Sequence, residues 1–144
     1  MPTHKISEQV RRNAVAIISL IVAVTSLAYN TYRNELTEEN RTVRQAGFEM
    51  ISELSQLQQY MLVSRYGETD NKEDTTVGWS HVLTIRDLSL AMPENIHQQA
   101  EQLYEVWQQN HEQISASDES AYKMIDEKID TTKTKILDEI KRLD

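Results

Sequence analysis

The densest cluster of chemically active side chains lies in one short segment, GWSHVLTIRDL at positions 78–88. It holds an indole, an imidazole, a guanidinium and a carboxylate, on Trp79, His81, Arg86 and Asp87. A guanidinium binds carboxylates through paired hydrogen bonds, and tryptophan is enriched where protein interfaces are strongest. We expect Arg86 and Asp87 to pair with other helices. Two alternatives stay open: an anion bound by Arg86, and an interface anchored by Trp79.

The other histidines and carboxylates lack the spacing of a metal site. The chain has four histidines and no cysteine, and no H-E-x-x-H pair occurs. It also lacks the G-x-S-x-G, G-x-G-x-x-G and phosphate-loop motifs that position a nucleophile or a nucleotide. The sequence therefore predicts no catalytic residue, no cofactor and no metal, and a protein that is not an enzyme.

A long uncharged segment near the N-terminus is the candidate for a membrane anchor that holds the rest of the chain at a bilayer. Between Arg12 and Arg33 twenty consecutive residues carry no charge. As a helix rising about 1.5 Å per residue they cover roughly 30 Å, the thickness of the hydrocarbon core of a bilayer. We predict a transmembrane helix at 13–33 that anchors the protein in the lipid bilayer. A cleaved signal peptide is the alternative, because Ser26-Leu27-Ala28 resembles a cleavage site.

Basic residues flank the segment on both sides, so its orientation depends on where they lie. Arg11 and Arg12 stand directly at the membrane boundary, and a short basic N-terminal stub is typical of the cytoplasmic end of a signal anchor. We therefore expect residues 1–12 to be cytoplasmic. The soluble domain, residues 34–144, would then lie in the periplasm of a bacterial inner membrane.

The soluble part is acidic. Residues 30–144 carry 12 basic and 22 acidic side chains, a net charge of −10. Such a surface repels phosphate groups, so we expect no binding to nucleic acid. A segment of about 110 residues suffices for one small domain.

Apolar residues recur with a helical period along this domain, without the alternation of strands. The fold class is all-α. We predict that the first helix leaves the membrane and continues to about Tyr66, and that a polar link at 67–76 follows. A second helix covers 77–92 and ends at Pro93. Two further helices are separated by a link at 115–118, which gives an antiparallel bundle of about four helices. Apolar spacing predicts one buried row in each: Ile96, Ala100, Leu103, Trp107 and Ile114 in the third helix, and Ile125, Ile129, Thr132, Ile136, Ile140 and Leu143 in the fourth.

Two rows of residues recur every seven positions along the first helix. They are Leu36, Val43, Met50 and Leu57, and Asn40, Gly47, Leu54 and Met61. Together they form an inner seam, the pattern of a coiled coil, in which Asn40 would fix the register and Gly47 would allow close approach. The alternative is a helix that packs on its own bundle, because Phe48 and Ile51 widen the apolar stripe.

Two segments carry a resemblance: YNTYRNELTEENRTVRQAGFEM after the span, and GWSHVLTIRDL. They resemble a group of short single-span bacterial inner-membrane proteins of unknown function, over about Asn13 to Trp107. The resemblance implies an anchor followed by helices in a Gram-negative envelope. It implies no activity and no functional residues.

Two functions follow from these patterns. The first is a membrane-anchored, non-enzymatic interaction module that associates with itself or with another envelope membrane protein. The second is a sensor-like bundle that binds a small solute and signals through a partner protein, because a stub of twelve residues holds no output domain.

Overall fold

The computed structural model describes residues 3–67, 75–114 and 119–143. The backbone in these ranges is helical apart from short connections, and no strand occurs within them. This confirms the all-α class and a long N-terminal helix followed by shorter ones. The predicted links lie largely outside the described residues, at 68–74 and 115–118.

Four α-helices make up the described chain: α1 (Thr3–Tyr66), α2 (Thr75–Leu88), α3 (Glu94–Asn110) and α4 (Ser120–Arg142). Short 3-10 helices follow α2 and α3, at Ser89–Ala91 and His111–Gln113. The end of α1 at Tyr66 confirms the prediction. Because α1 begins at Thr3, no helix boundary separates the predicted stub from the predicted span.

The second helix differs from the prediction at both ends, since it begins at Thr75 and ends at Leu88 rather than covering 77–92. Pro93 causes the difference at its C-terminal end. A proline disfavours the helical conformation of the residue before it, and Met92 is extended, with φ −103° and ψ 161°. The residues just before Met92 tighten into the 3-10 turn.

The chain divides into two compact units, Met1–Glu39 and Asn40–Asp144. In the first unit the side chains of residues 15–39 are exposed. Within the described part of the chain, α1 is the one helix that is long and apolar enough to cross a membrane, judged by length and composition.

The second unit has a hydrophobic core to which all four helices contribute. The buried rows predicted for the third and fourth helices are confirmed. Leu143, at the end of the second row, is only partly buried. The fully buried large side chains of these two helices are Ile96, Leu103, Trp107, Ile125, Ile129 and Ile136.

Side-chain contacts within the second unit show in which direction neighbouring helices run. Along α1 and α4 they occur in opposite order: Gly47 lies at Ile136 and Ile140, and Gln58 donates to Asp126 at 2.8 Å. Nearer the other end, Arg65 on α1 approaches the carboxylate of Glu119, just before α4, at 4.0 Å. The order is also opposite along α2 and α3, where Trp79 meets Tyr104 and Arg86 meets Glu101.

Candidate functional site

Much of the predicted inner seam lies in the protein's own core. Gly47 is buried against α4, where an added Cβ would come within 2.9 Å of Ile140 Cδ1 and 3.2 Å of Ile136 Cγ2. Four further seam residues have no exposed surface: Met50, Leu54, Leu57 and Met61. This part of the seam contacts helices of the same chain, as in the alternative that the sequence left open.

The first three residues of the inner seam are more accessible. Leu36 is 43% exposed and Asn40 is exposed, whereas Val43 packs partly against the core. Only this N-terminal portion therefore has surface available to another molecule.

Trp79 belongs to an aromatic cluster between α2 and α3. Its ring centroid lies 5.8 Å from that of Tyr104, 6.3 Å from that of Trp107 and 5.1 Å from that of His111. Trp107 is fully buried and packs over Gly78, where an added Cβ would come within 2.4 Å of Trp107 Cζ2. Trp79 is only half-buried. The cluster therefore fills the core with Trp107 and leaves Trp79 partly exposed to solvent.

Arg86 joins α2 to α3. Its Nε donates to Glu101 Oε1 at 2.6 Å, and its guanidinium carbon lies 4.7 Å from the ring centroid of Tyr104. The hydrogen bond from Arg86 to Glu101, together with the charge of that carboxylate, raises the pKa of Arg86. Arg86 is therefore a cation with a carboxylate partner from its own chain. Asp87, its neighbour, is exposed.

Three residues next to Arg86 have the types of a hydrolytic triad: Ser89, His97 and Glu101. Their geometry does not suit that chemistry. Ser89 Oγ donates its proton in a hydrogen bond to the carbonyl oxygen of Arg86 at 2.5 Å. At 2.8 Å from His97 Nδ1 it then accepts a hydrogen bond from the imidazole rather than donating one. A nucleophilic serine gives its proton to the histidine. Ser89 is also fully buried, out of reach of a substrate.

The position of Glu101 leads to the same conclusion. Its carboxylate lies 3.9 Å from His97 Nε2, beyond hydrogen-bond distance, and is already bound to Arg86. We therefore assign the cluster to fixing the 3-10 turn after α2 against the start of α3. The sequence alone did not reveal it, because Ser89 and His97 are brought together by that turn.

Further polar contacts join α1 to α2 and to α4. His81 Nδ1 lies 2.7 Å from Glu53 Oε2, between α2 and α1. Gln58 of α1 accepts from Lys133 and donates to Asp126 and Asp130 of α4. These contacts were not predicted, because their partners are far apart in sequence.

Contrary to the prediction, the sequence contains one spacing found in metal sites, the Glu-x-x-His of Glu94 and His97. A di-iron helical site needs two such pairs together with further carboxylates. Within residues 3–67, 75–114 and 119–143, no group of three histidine, aspartate or glutamate side chains is placed to hold a metal ion.

No protein family, curated protein or solved structure matches the chain.

Proposed function

We propose that the protein is a membrane-anchored, non-enzymatic interaction module, a scaffold or accessory subunit at the bacterial inner membrane. Residues 13–33 span the bilayer with the N-terminus in the cytoplasm. Residues 34–144 form an antiparallel four-helix bundle in the periplasm, which associates with a second copy or with another envelope membrane protein.

The exposure of apolar side chains in α1 carries this proposal. Val15 is 72% exposed, Leu20 65% and Leu27 67%, and each side chain from Val15 to Leu27 is exposed. Removing apolar surface from water contributes about 25 cal/mol per Å², so a helix of this composition is unfavourable in water and favourable in lipid. The second unit, by contrast, buries most of its large apolar side chains in a core of its own.

The opposite order of contacts along α1 and α4, and along α2 and α3, supports the antiparallel bundle. The bonding of Ser89, His97 and Glu101 supports a non-enzymatic role, because each polar group in that cluster serves to hold two elements together. Arg86 is likewise held by Glu101 and Tyr104.

Cysteine labelling tests the membrane location and the orientation, because the chain has no cysteine of its own. A membrane-impermeant maleimide is added to intact spheroplasts that express Thr131→Cys or Thr3→Cys. We expect Thr131→Cys, on α4, to be labelled at once and Thr3→Cys only after the membrane is permeabilised. The reverse pattern refutes the orientation, and extraction of the full chain by alkaline carbonate refutes the anchor.

Crosslinking tests the interaction. The tagged full-length protein is crosslinked in cells, purified in mild detergent and analysed by mass spectrometry. We expect a discrete homo-oligomer or one envelope protein in stoichiometric amount. A lone monomer contradicts the interaction proposal.

A sensor for a small solute is the second candidate, and one observation favours it. The indole Nε1 of Trp107 is buried and has no hydrogen-bond partner in the described structure, although buried polar groups are normally paired. A solute with an acceptor oxygen would satisfy it. A solute screen by thermal unfolding, repeated with Trp107→Phe, tests this: stabilisation of both proteins by the same solute excludes Trp107 as its donor.

A further inference from the structure

A second row of regularly spaced residues runs along α1 on the face away from the core. Successive members are separated by four, three, four, three and four residues, the spacing of a coiled-coil seam, and all of them are exposed. We call this row the outer seam; it consists of Phe48, Ser52, Ser55, Gln59, Leu62 and Tyr66.

The face that carries the outer seam is poor in charge. Of the eight exposed residues from Gln45 to Leu62, Glu49 alone is charged. In α4, by comparison, seven of the twelve exposed residues are charged. Large apolar side chains remain accessible here, since Phe48 is 55% and Leu62 48% exposed.

We propose that the outer seam is the docking surface for a second copy of the chain, with the two α1 helices parallel. In a parallel pair each seam residue meets its own counterpart. Ser52 and Ser55 are small enough for close approach of the helices. Gln59 is self-complementary, because its side-chain amide both donates and accepts. Phe48 and Leu62 supply apolar contact.

The charges beside the outer seam favour the same arrangement. In the heptad register of the outer seam, Arg44 and Glu49 lie beside the seam and are five residues apart in sequence. In a parallel pair of helices, Arg44 of one copy would therefore lie next to Glu49 of the other. The pair is of opposite sign and occurs twice in a symmetric dimer. Arg44 also interacts within its own chain. Apart from this pair two copies repel, because the rest of residues 40–144 carries 10 basic and 18 acidic side chains.

This inference rests on the proposed function, because the anchor makes the association effective. Two copies in one membrane have the same orientation and a raised effective concentration. The outer seam has few large side chains, and interfaces below about 1,200 Å² are weak or transient. We therefore expect dimers in the membrane and mostly monomers when the full chain is diluted in detergent.

Disulfide crosslinking of the full-length protein in its native membrane tests the proposal. Ser52→Cys and Ser55→Cys are nearly isosteric changes on the seam, and Ser80→Cys on α2 is a matched exposed control. A disulfide needs Cα atoms within about 7 Å, so a parallel seam brings both pairs into range. With a mild oxidant we expect at least about tenfold more dimer from the two seam variants than from Ser80→Cys. Equal yields overturn the proposal.

Charge substitutions provide the second test. Phe48→Glu in the Ser55→Cys background should abolish the dimer, whereas Leu83→Glu, the same kind of change at an exposed leucine of α2, should leave it. Arg44→Glu should lower the yield about fivefold, and Arg44→Glu with Glu49→Arg should restore it, as expected for two pairs of modest strength. Loss of dimer with Leu83→Glu as well counts against the seam.

A third cysteine separates this inference from the proposed function. If Asn40→Cys forms the dimer and the two serine variants do not, self-association stands and the outer seam is wrong. If none of the three forms a dimer while the maleimide pattern holds, the anchor stands and the second copy is excluded. Reversal of the maleimide pattern refutes the proposed orientation, and extraction by alkaline carbonate refutes the anchor, whatever the three cysteines show.

Discussion

The packing of Trp107 over Gly78 makes a sharp prediction for Gly78→Ala. The new methyl group would come within 2.4 Å of Trp107 Cζ2, 2.6 Å of Trp107 Cη2 and 2.7 Å of Tyr60 Cε1. The indole cannot turn aside easily, because it is fully buried and contacts Trp79 and His111. The helix or the ring must shift, and the free energy of unfolding must fall.

The expected size follows from two opposing effects. Overpacking of a core typically costs about 1 to 3 kcal/mol, and an overlap with rigid rings belongs at the upper end. Replacing a helical glycine by alanine offsets up to about 1 kcal/mol of this. The net loss is about 2 kcal/mol, equivalent to a Tm lower by about 10 °C for a unit of this size.

Gly47→Ala is the matched control, since it has the same chemistry at another helical glycine. Its methyl group would meet Ile140 Cδ1 at 2.9 Å, the far end of a flexible side chain, and Ile136 Cγ2 at 3.2 Å. A small rotation of Ile140 relieves the contact, so the gain in helix propensity offsets the strain. We expect a change within about 0.5 kcal/mol.

Tryptophan fluorescence during urea unfolding of the full-length protein in micelles measures both variants. Trp79 and Trp107 are the two tryptophans of the chain and both lie in the second unit, so the signal reports on that unit. The reasoning is refuted if Gly78→Ala is as stable as the unsubstituted protein, or if Gly47→Ala loses more stability than Gly78→Ala.

Three further predictions use the same assay. Ser89→Ala removes a buried hydroxyl that accepts from His97 and fixes the 3-10 turn, and should cost about 1 to 2 kcal/mol; an unchanged midpoint contradicts the assigned role. Gln58→Leu takes the amide donor from two carboxylates of α4 and should cost about 1 to 2 kcal/mol, whereas equal or higher stability would mean that those bonds contribute nothing. Burial raises the pKa of Tyr122, so the folded state holds the phenol proton more tightly than the unfolded state. The resulting stability is complete below the unfolded pKa near 10 and is lost as the pH rises through the folded value. Tyr122→Phe should lose less stability above pH 10 than the unsubstituted protein. If the free energies of unfolding of the two proteins fall in parallel as the pH rises above 10, this prediction is wrong.

The buried rows of the third and fourth helices could be predicted because large apolar residues stand there at intervals of three and four between polar ones. Their spacing places Ile125, Ile129 and Ile136 on one face of α4, and all three side chains are fully buried. The end of α2 could not be placed from the same pattern. It depends on the backbone of Met92, which Pro93 forces into an extended conformation, whereas apolar periodicity continues through both residues.

The polar contacts needed the three-dimensional register. Arg86 pairs with Glu101, and Ser89 meets His97, because α2 and α3 align in one particular way. If α3 were shifted by one helical turn along α2, Arg86 would lie beside a different carboxylate, because α3 also carries Glu94 and Glu105. The prediction that Arg86 pairs with another helix therefore followed from its chemistry, whereas the identity of its partner did not.

The two seams of α1 were hard to separate for a related reason. An ordinary α-helix rotates by only about 20° per heptad relative to an exact seven-residue repeat, so over a few heptads a coiled coil and an amphipathic helix have nearly the same apolar pattern. The pattern therefore does not tell whether the helix packs against its own chain or against another molecule. Burial does: Met50 and Leu57 have no exposed surface. The outer seam lacks strong hydrophobicity, so it gave no apolar signal. The outer seam can be recognised in the sequence only by the absence of charged residues between Glu53 and Arg65.

The contrast between the two faces of α1 makes the proposed reversible dimer compatible with a stable fold. The inner face of α1 is part of the core, so we expect polar substitutions there to unfold the second unit. The outer face has the small polar residues Ser52 and Ser55 at its centre. Replacing both by leucine should add apolar contact between copies without touching the core. We expect Ser52→Leu with Ser55→Leu to give a dimer that persists in dilute detergent, measured by light scattering of the full chain. If this variant stays monomeric with its Tm unchanged, the two outer faces do not meet, because buried leucine side chains each contribute about 1.5 to 3 kcal/mol to an interface that forms.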